Sequence, residues 1–207
     1  MYTPTAFIVD DTAEIYEMMR QSRLANFITA TPTGPMATPL PLFLDESEGE
    51  RGVLYGHLAR PNPQWRAEVV GHGLAVFMGP DAYVTPSWYA SKSEHGKVVP
   101  TWNYTAVHAF GPVEFFEDAD RLLNVVKRLT EIHEGTRQTP WAVTDAPESY
   151  IEAQLRGIVG IRMPIASLKG KRKMSQNRPE PDRIGVKRGL GESSRETDRI
   201  ASAMIPT

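Results

Sequence analysis

Short strand-like segments separated by turn residues fill most of the first 116 residues, and they constrain the fold more than any other feature. Leu24–Thr31 and Met36–Leu44 flank a Pro-Thr-Gly-Pro turn, which predicts a β-hairpin. Pro39 and Pro41 favour an edge strand for the second segment, because proline cannot donate a ladder hydrogen bond. Further strands are predicted at Val53–Leu58, Leu74–Gly79, Ala82–Pro86 and Gly157–Ile165, and Val98–Phe116 is predicted to hold at least one long strand. The pattern predicts an antiparallel barrel of the mainly β, α+β class with flanking helices.

Helical spacing of apolar residues occurs before, between and after these strands. It predicts helices at Asp10–Arg23 and Asp118–Glu134, a shorter helix that begins near Pro147, and a last helix at Glu192–Met204. Ser91–Lys97 is polar and is predicted to be a mobile loop. Strictly alternating strand–helix units and glycine-rich phosphate motifs do not occur, which argues against a parallel nucleotide-binding sheet.

Composition narrows the class of protein. The 207 residues suit one domain with appendages, and the net charge of −2 gives no general attraction to nucleic acid or anionic membrane. No apolar run reaches the length of a membrane span, and the first residues do not resemble a secretion signal, so we expect a cytoplasmic protein without membrane contact. The absence of cysteine removes disulfides and thiolate chemistry. The five histidines have no metal-ligand spacing, so no metal site is expected.

The segment Gly56–Trp65, GHLARPNPQW, holds the clearest candidate site. A strand ends in it, Asn62 stands where a helix N-cap belongs, and Pro63 stands at the first helical position. A helix that starts there offers free N–H groups and a positive dipole end to an anion, with Arg60 beside it. Two interpretations follow from the residues: a phosphate-binding loop, or a structural connection with an exposed arginine. The site residues predicted in this segment are His57, Leu58, Ala59, Arg60, Asn62 and Trp65.

Two further segments carry candidate chemistry. Trp102, Asn103 and Tyr104 combine aromatic area with an amide, which suits either a flat heteroaromatic ligand or a buried aromatic cluster. Lys169–Arg178 contains five basic residues in ten. It fits a nucleic-acid patch, a solvated basic surface, or a phosphate clamp in which Lys173, Ser175 and Gln176 contribute.

Taken in order, several long segments resemble one family, the PaiB-type FMN-binding negative transcriptional regulators. The segments are MYTPTAFIVDD, ATPLPLFLD, GHLARPNPQW, VFMGPDAYVTPSWY, VPTWNYTAVHAFG, GIVGIRM and KRKMSQNR. The resemblance implies a split β-barrel of the pyridoxamine-phosphate-oxidase-like group, assembled as a homodimer with FMN at the subunit interface. It places the phosphate near His57–Trp65, Thr38 at the cofactor, and the flavin ring near Trp102–Tyr104 against the partner subunit.

Two points qualify this resemblance. The family often has histidine where this chain has Pro39, so any role of that histidine is lost here. Piperazate synthases are similar to this family but use haem to form an N–N bond, and in such a protein His57 would be an axial ligand.

The functional expectation is a dimeric FMN-binding protein that acts as a negative transcriptional regulator or as a flavin-dependent oxidoreductase. A haem enzyme is the alternative, and direct binding to DNA has weak support. The expected organisation is an FMN-binding barrel at residues 1–170 and a basic, helical extension at residues 171–207 that packs on the barrel or on the dimer partner. No residue is predicted to be a catalytic acid or base.

Overall fold

The computed structural model of the chain describes residues 1–22 and 24–206, and within them the fold has two antiparallel sheets and six α-helices. The predicted antiparallel α+β class is therefore confirmed. The strands are β1 (Ile8–Val9), β2 (Ala25–Thr31), β3 (Gly34–Leu40), β4 (Phe43–Asp45), β5 (Val53–Ala59), β6 (Gly73–Val84), β7 (Thr101–Gly111), β8 (Glu114–Phe116), β9 (Ile158–Pro164) and β10 (Ser167–Lys173). The helices are α1 (Thr12–Gln21), α2 (Ser91–His95), α3 (Ala119–Glu134), α4 (Glu148–Leu155), α5 (Glu180–Gly191) and α6 (Glu196–Ala203).

The chain divides into two compact units. The first unit comprises residues 1–21, 78–107 and 169–207, and the second comprises residues 22–77 and 108–168. Strands β6 and β7 run through both units. The division at residues 1–170 and 171–207 expected from the sequence stays a prediction.

In the second unit, β2 and β3 form the predicted hairpin, with Phe27 opposite Thr38 and Asn26 opposite Pro39. Strand β3 ends the strand order of its sheet, so the prediction of an edge strand for Pro39 is confirmed. The other sheet has the order β4-β5-β9-β8. Helix α3 packs with Phe116 and α4 through its predicted apolar stripe, of which Leu122, Val125 and Leu129 are buried.

In the first unit, β1 pairs with β10, and α5 and α6 bury an apolar cluster. The cluster joins residues of β6, of the two helices and of the segments that follow β6, β10 and α6, namely Ala82, Val84, Tyr89, Met174, Val186, Leu190, Ala201 and Ile205. The basic segment that follows Lys169 thus begins as a strand and continues into a buried helical core.

Several predicted elements were wrong in their bounds. The segment Met36–Leu44 is two strands in different sheets, because Pro41 interrupts the ladder, whereas Leu74–Gly79 and Ala82–Pro86 are parts of one strand, β6. The predicted loop Ser91–Lys97 contains α2, which Gly96 ends with a left-handed φ of 66°. The predicted helix Glu192–Met204 is the shorter α6. Helix α5 was missed because its glycines and prolines obscure the helical period. Arg23, the last residue of the first predicted helix, lies outside the described residues.

Candidate functional site

The segment after β5 turns back as a single turn of 3-10 helix, Pro63–Arg66. The predicted N-cap is confirmed, since Asn62 Oδ1 accepts a hydrogen bond of 2.9 Å from the Gln64 N–H. The predicted α-helix is wrong, because Ala67 is already extended with φ −74° and ψ 145°. A turn of this length does not align enough peptide units to attract an anion through a helix dipole. The helix-dipole argument for an anion site therefore does not apply here, and the phosphate site in this segment stays a prediction.

The side chain of Arg60 is held by contacts with other parts of the protein. Its guanidinium forms an ion pair with Glu117 and donates hydrogen bonds to the carbonyl oxygens of Arg156, at 2.5 Å, and Ile158, at 3.3 Å. The indole N–H of Trp65 donates to the Arg60 carbonyl oxygen at 2.9 Å. These contacts favour the structural interpretation of Arg60 and Trp65, and their assignment to a phosphate stays a prediction.

A buried amide that the sequence did not reveal organises this segment. Gln64 is 1% exposed, and its Nε2 donates to Thr29 Oγ1 at 3.1 Å and more weakly to two strand carbonyl oxygens. The Thr38 hydroxyl donates to Gln64 Oε1 at 2.6 Å and accepts from Asn62 Nδ2 at 3.0 Å. Thr38 and Asn62, both predicted site residues, are thus brought together by a network that ties the turn to β2 and β3.

His57, Leu58 and Ala59 lie at the end of β5 and face different surroundings. Leu58 is buried in the core, and Ala59 is exposed. The imidazole of His57 is largely buried, and desolvation lowers its pKa. Its Nδ1 is enclosed without a hydrogen-bond partner among the described residues. His57 is therefore a neutral imidazole at physiological pH.

In the first unit, the start of β7 and the end of β10 bring the other predicted residues together. Trp102 is 48% exposed and meets Tyr83 edge to face at 6.0 Å. The ammonium group of Lys171 lies 5.0 Å from the centre of the Tyr104 ring. Because side chains alternate along a strand, Asn103 points to the opposite face from Trp102 and Tyr104.

Two lysines, the buried Lys171 and the half-buried Lys173, follow one another on the same face of β10. Lys171 is 7% exposed, and its Nζ donates to the Tyr2 carbonyl oxygen at 3.2 Å. Lys173 Nζ donates to Thr101 Oγ1 at 2.5 Å and to the Trp102 carbonyl oxygen. Burial lowers the pKa of Lys173, and the nearby charges of Lys171 and Arg178 lower it further. Within the described residues neither ammonium group is paired with a carboxylate.

The turn after β10 is bracketed by polar side chains. Gln176 Oε1 accepts from the Met174 N–H at 2.6 Å, and Gln176 Nε2 donates to the Ala6 and Arg172 carbonyl oxygens. Ser175 has a left-handed φ of 60°, and its hydroxyl donates to Asn103 Oδ1 at 3.1 Å. Asn103 is fully buried, and its Nδ2 has no hydrogen-bond partner among the described residues. A strained serine and an unsatisfied buried donor are features that cluster at ligand sites.

These contacts separate the predicted site residues into two groups. Trp102, Asn103, Tyr104, Lys173 and Ser175 come together in the first unit, with cations and aromatic faces that suit a planar anion. Gln176 shapes the turn beside them. Sequence reasoning included Lys171 and Arg178 in the basic segment Lys169–Arg178 but did not assign them individually. Prediction of a strand there would have placed Lys171 and Lys173 on one face by alternation.

Two general properties complete the description of the site. No group of three or more histidine or carboxylate side chains suited to a metal ion occurs among the residues that the structure describes. In the same residues, no helix combines the length and the apolar character of a membrane span.

Comparison with known proteins gives matches over most of the chain. The family model described as "Putative FMN-binding domain" matches residues 1–167. Protease synthase and sporulation protein PAI 2 of Bacillus subtilis is 34% identical over 187 residues, which cover 90% of this chain and 87% of that protein.

The fold also resembles solved structures at low identity. A conserved hypothetical protein from Mycobacterium tuberculosis is similar with a TM-score of 0.59 and 14% identity, over 87% of this chain and 95% of that one. The FAD and heme binding protein from Mycobacterium smegmatis is similar with a TM-score of 0.57 and 14% identity, over 80% of this chain and 73% of that one. At these identities the likeness concerns the fold alone.

Proposed function

The chain belongs to the FMN-binding domain family whose model matches residues 1–167, and from that membership we propose that it binds FMN through the first unit. The observation that carries the proposal is a pair of ammonium groups, that of the buried Lys171 and that of the half-buried Lys173, without carboxylate partners among the described residues. Burying uncompensated charge is costly, and a bound anion removes much of that cost. A phosphate monoester fits this requirement.

The residues around the lysines fit the remaining parts of such a cofactor. Trp102 and Tyr83 offer exposed aromatic surface for a flavin ring. When bound, FMN supplies hydride and electron transfer, while the protein positions it and controls its surroundings. No side chain of the described residues is assigned as an acid or base in that chemistry.

The finer parts of the proposal concern assembly and biological role. We expect a split-barrel homodimer, in which the exposed aromatic residues are covered by cofactor and partner. The burial of Lys171 disfavours a direct DNA-binding role for Lys169–Arg178, because a DNA surface requires solvated cations. We therefore favour a cytoplasmic flavin-dependent redox protein or flavin sensor over a regulator that contacts DNA itself.

Titration of the purified protein with FMN, riboflavin and haem tests the identity of the cofactor. We expect a flavin spectrum and much tighter binding of FMN than of riboflavin, because riboflavin lacks the phosphate. Equal affinities for FMN and riboflavin would contradict recognition of the phosphate. An intense Soret band, lost in His57→Ala, would replace the proposal with the haem alternative.

Charge removal tests the location of the phosphate. Lys171→Met and Lys173→Met are each expected to weaken FMN about tenfold to a hundredfold, the effect of losing a charged hydrogen-bond partner. Lys169→Met, an exposed lysine of the same strand, is the matched control and should leave the affinity unchanged. If Arg60→Ala weakens FMN and the two lysine variants do not, the phosphate lies at Gly56–Trp65 instead.

A further inference from the structure

A cavity of about 340 Å³ lies in the second unit, between α3 and the strands β4 and β5. Its volume is in the range of small-molecule sites, which begins at about 300 Å³. Phe43 and Tyr55 form one wall as a stacked pair, with ring centres 5.6 Å apart and planes inclined by 22°. Phe116 and Val125 add apolar surface, and both are buried. This part of the cavity suits a flat aromatic ring.

Helix α3 adds a polar wall to the same cavity. Arg121, Asn124 and Arg128 recur at three- and four-residue spacing, so they lie along one face of the helix. Among the described residues that line the cavity, Asp45 is the one carboxylate, and hydrogen bonds from Ser47 lower its pKa, so it is ionised at neutral pH. The lining thus presents two guanidinium groups, which also pair with Glu114 and Glu131, and one carboxylate.

The fixed parts of the lining are held in place by a network outside the cavity. The Tyr55 hydroxyl donates to Glu48 at 2.5 Å, and Arg162 contacts both groups. Arg121 pairs with Glu114 at 2.8 Å, and its guanidinium stacks on Phe116 at 3.9 Å. The aromatic wall and one cation are therefore pre-organised, which reduces the entropy lost on binding.

Arg128 is the cation with the weakest protein partner. It contacts Glu131 at 3.4 Å, and the side chains of both residues are mostly exposed, at 60% and 65%. Exposed pairs of this kind contribute little to stability, so they exchange readily for another anion. The guanidinium of Arg128 is thus available to a ligand carboxylate at little cost.

We propose that this cavity binds a small aromatic monocarboxylate, with its ring against Phe43 and Tyr55 and its carboxylate at Arg128 and Arg121. Asp45 selects against a second negative charge on the ligand. The cavity shares no residue with the flavin group of the first unit, so binding does not require the flavin to be absent or present.

NMR of the full chain, saturated with FMN and labelled in its valine methyl groups, tests this proposal with benzoate as the probe. Saturable shifts of the Val125 methyl signals are expected. Three comparison ligands define the class: benzyl alcohol lacks the charge, cyclohexanecarboxylate lacks the aromatic ring, and phthalate carries a second carboxylate. Each should bind more weakly than benzoate. Benzoate that displaces FMN, or that fails to saturate the Val125 signals, overturns the proposal.

Matched arginine variants locate the carboxylate. Arg128→Gln should weaken benzoate about tenfold, the loss expected for one charge-assisted hydrogen bond. Arg137→Gln removes an exposed arginine that is also paired with a glutamate three residues earlier, Glu134, and that does not line the cavity. Equal effects of the two substitutions would overturn the assignment. In Asp45→Asn, the discrimination between benzoate and phthalate should shrink, and an unchanged ratio contradicts the role given to Asp45.

Discussion

Replacement of the buried amide of Gln64 is expected to destabilise the second unit without touching the proposed cofactor group. In Gln64→Leu, the Thr29 hydroxyl, which is fully buried, loses its recorded partner at 3.1 Å. The Thr38 hydroxyl loses its acceptor at 2.6 Å but keeps Asn62 as a donor. Leaving a buried polar group unsatisfied costs about 1–3 kcal/mol, and a partly compensated one falls at the lower end. The free energy of unfolding should therefore fall by about 2–4 kcal/mol.

Urea denaturation, followed by circular dichroism and by tryptophan fluorescence, measures this change. Gln154→Leu on α4 is the matched control, because Gln154 is exposed, and it should change stability by less than about 0.5 kcal/mol. Thr38→Val completes a double-mutant cycle. Thr38 and Gln64 share one hydrogen bond, so the effects of the two substitutions should not add. The double variant's loss of unfolding free energy should be smaller than the sum of the two single losses by about 0.5 kcal/mol or more.

Two results would refute this reasoning about Gln64. The first is a loss below about 1 kcal/mol in Gln64→Leu with an unchanged circular dichroism spectrum, since that is the lower bound for one unsatisfied buried group. The second is strict additivity in the cycle with Thr38→Val, which would show that the hydrogen bond between the two side chains contributes nothing.

Two further predictions concern pH. Burial lowers the pKa of His57 below its usual value of about 6.5, so at acidic pH the unfolded chain binds a proton before the folded chain does. The unfolding free energy should be at its full value above about pH 6.5 and fall as the pH drops through the folded-state pKa. In denaturation at several pH values, His57→Gln should flatten that slope and the exposed control His72→Gln should retain it. The pKa of Lys173 is lowered by burial and by neighbouring cations, and a bound phosphate would raise it again. FMN binding should therefore be accompanied by proton uptake at alkaline pH below about 10.4, and the affinity should fall as the pH rises. Calorimetry in buffers of different ionisation enthalpy measures this uptake. No uptake, or equal uptake in Lys173→Met, would contradict the assignment.

The parts of the fold that depend on neighbouring residues were predictable. The apolar stripe of α3, the hairpin of β2 and β3, and the N-cap at Asn62 each follow from spacing or from one local hydrogen bond. The same holds for the grouping of Trp102, Asn103 and Tyr104, which are adjacent on one strand. Long, unusual motifs also made the family recognisable from the sequence.

The lengths of elements and the partners of polar side chains were not predictable in this way. Whether a helix that begins at Pro63 continues past Arg66 depends on what its next turn would pack against. The turn ends here, and Gln64 is bonded instead to β2 and β3. Arg60 looked exposed in the sequence because Glu117, which pairs with it, stands 57 residues away.

The sequence by itself determined the antiparallel α+β class, the family and the residue types available to hold a flavin, because these depend on local pattern and composition. Only the tertiary structure decided which of two basic groups has no carboxylate partner and can therefore pair with an anion. Arg60 is neutralised by Glu117, whereas the buried Lys171 and the half-buried Lys173 have no carboxylate partner in the described residues. The difference is physical: a charge becomes a binding site when folding removes its water and supplies no counter-charge, and both events require residues distant in the chain.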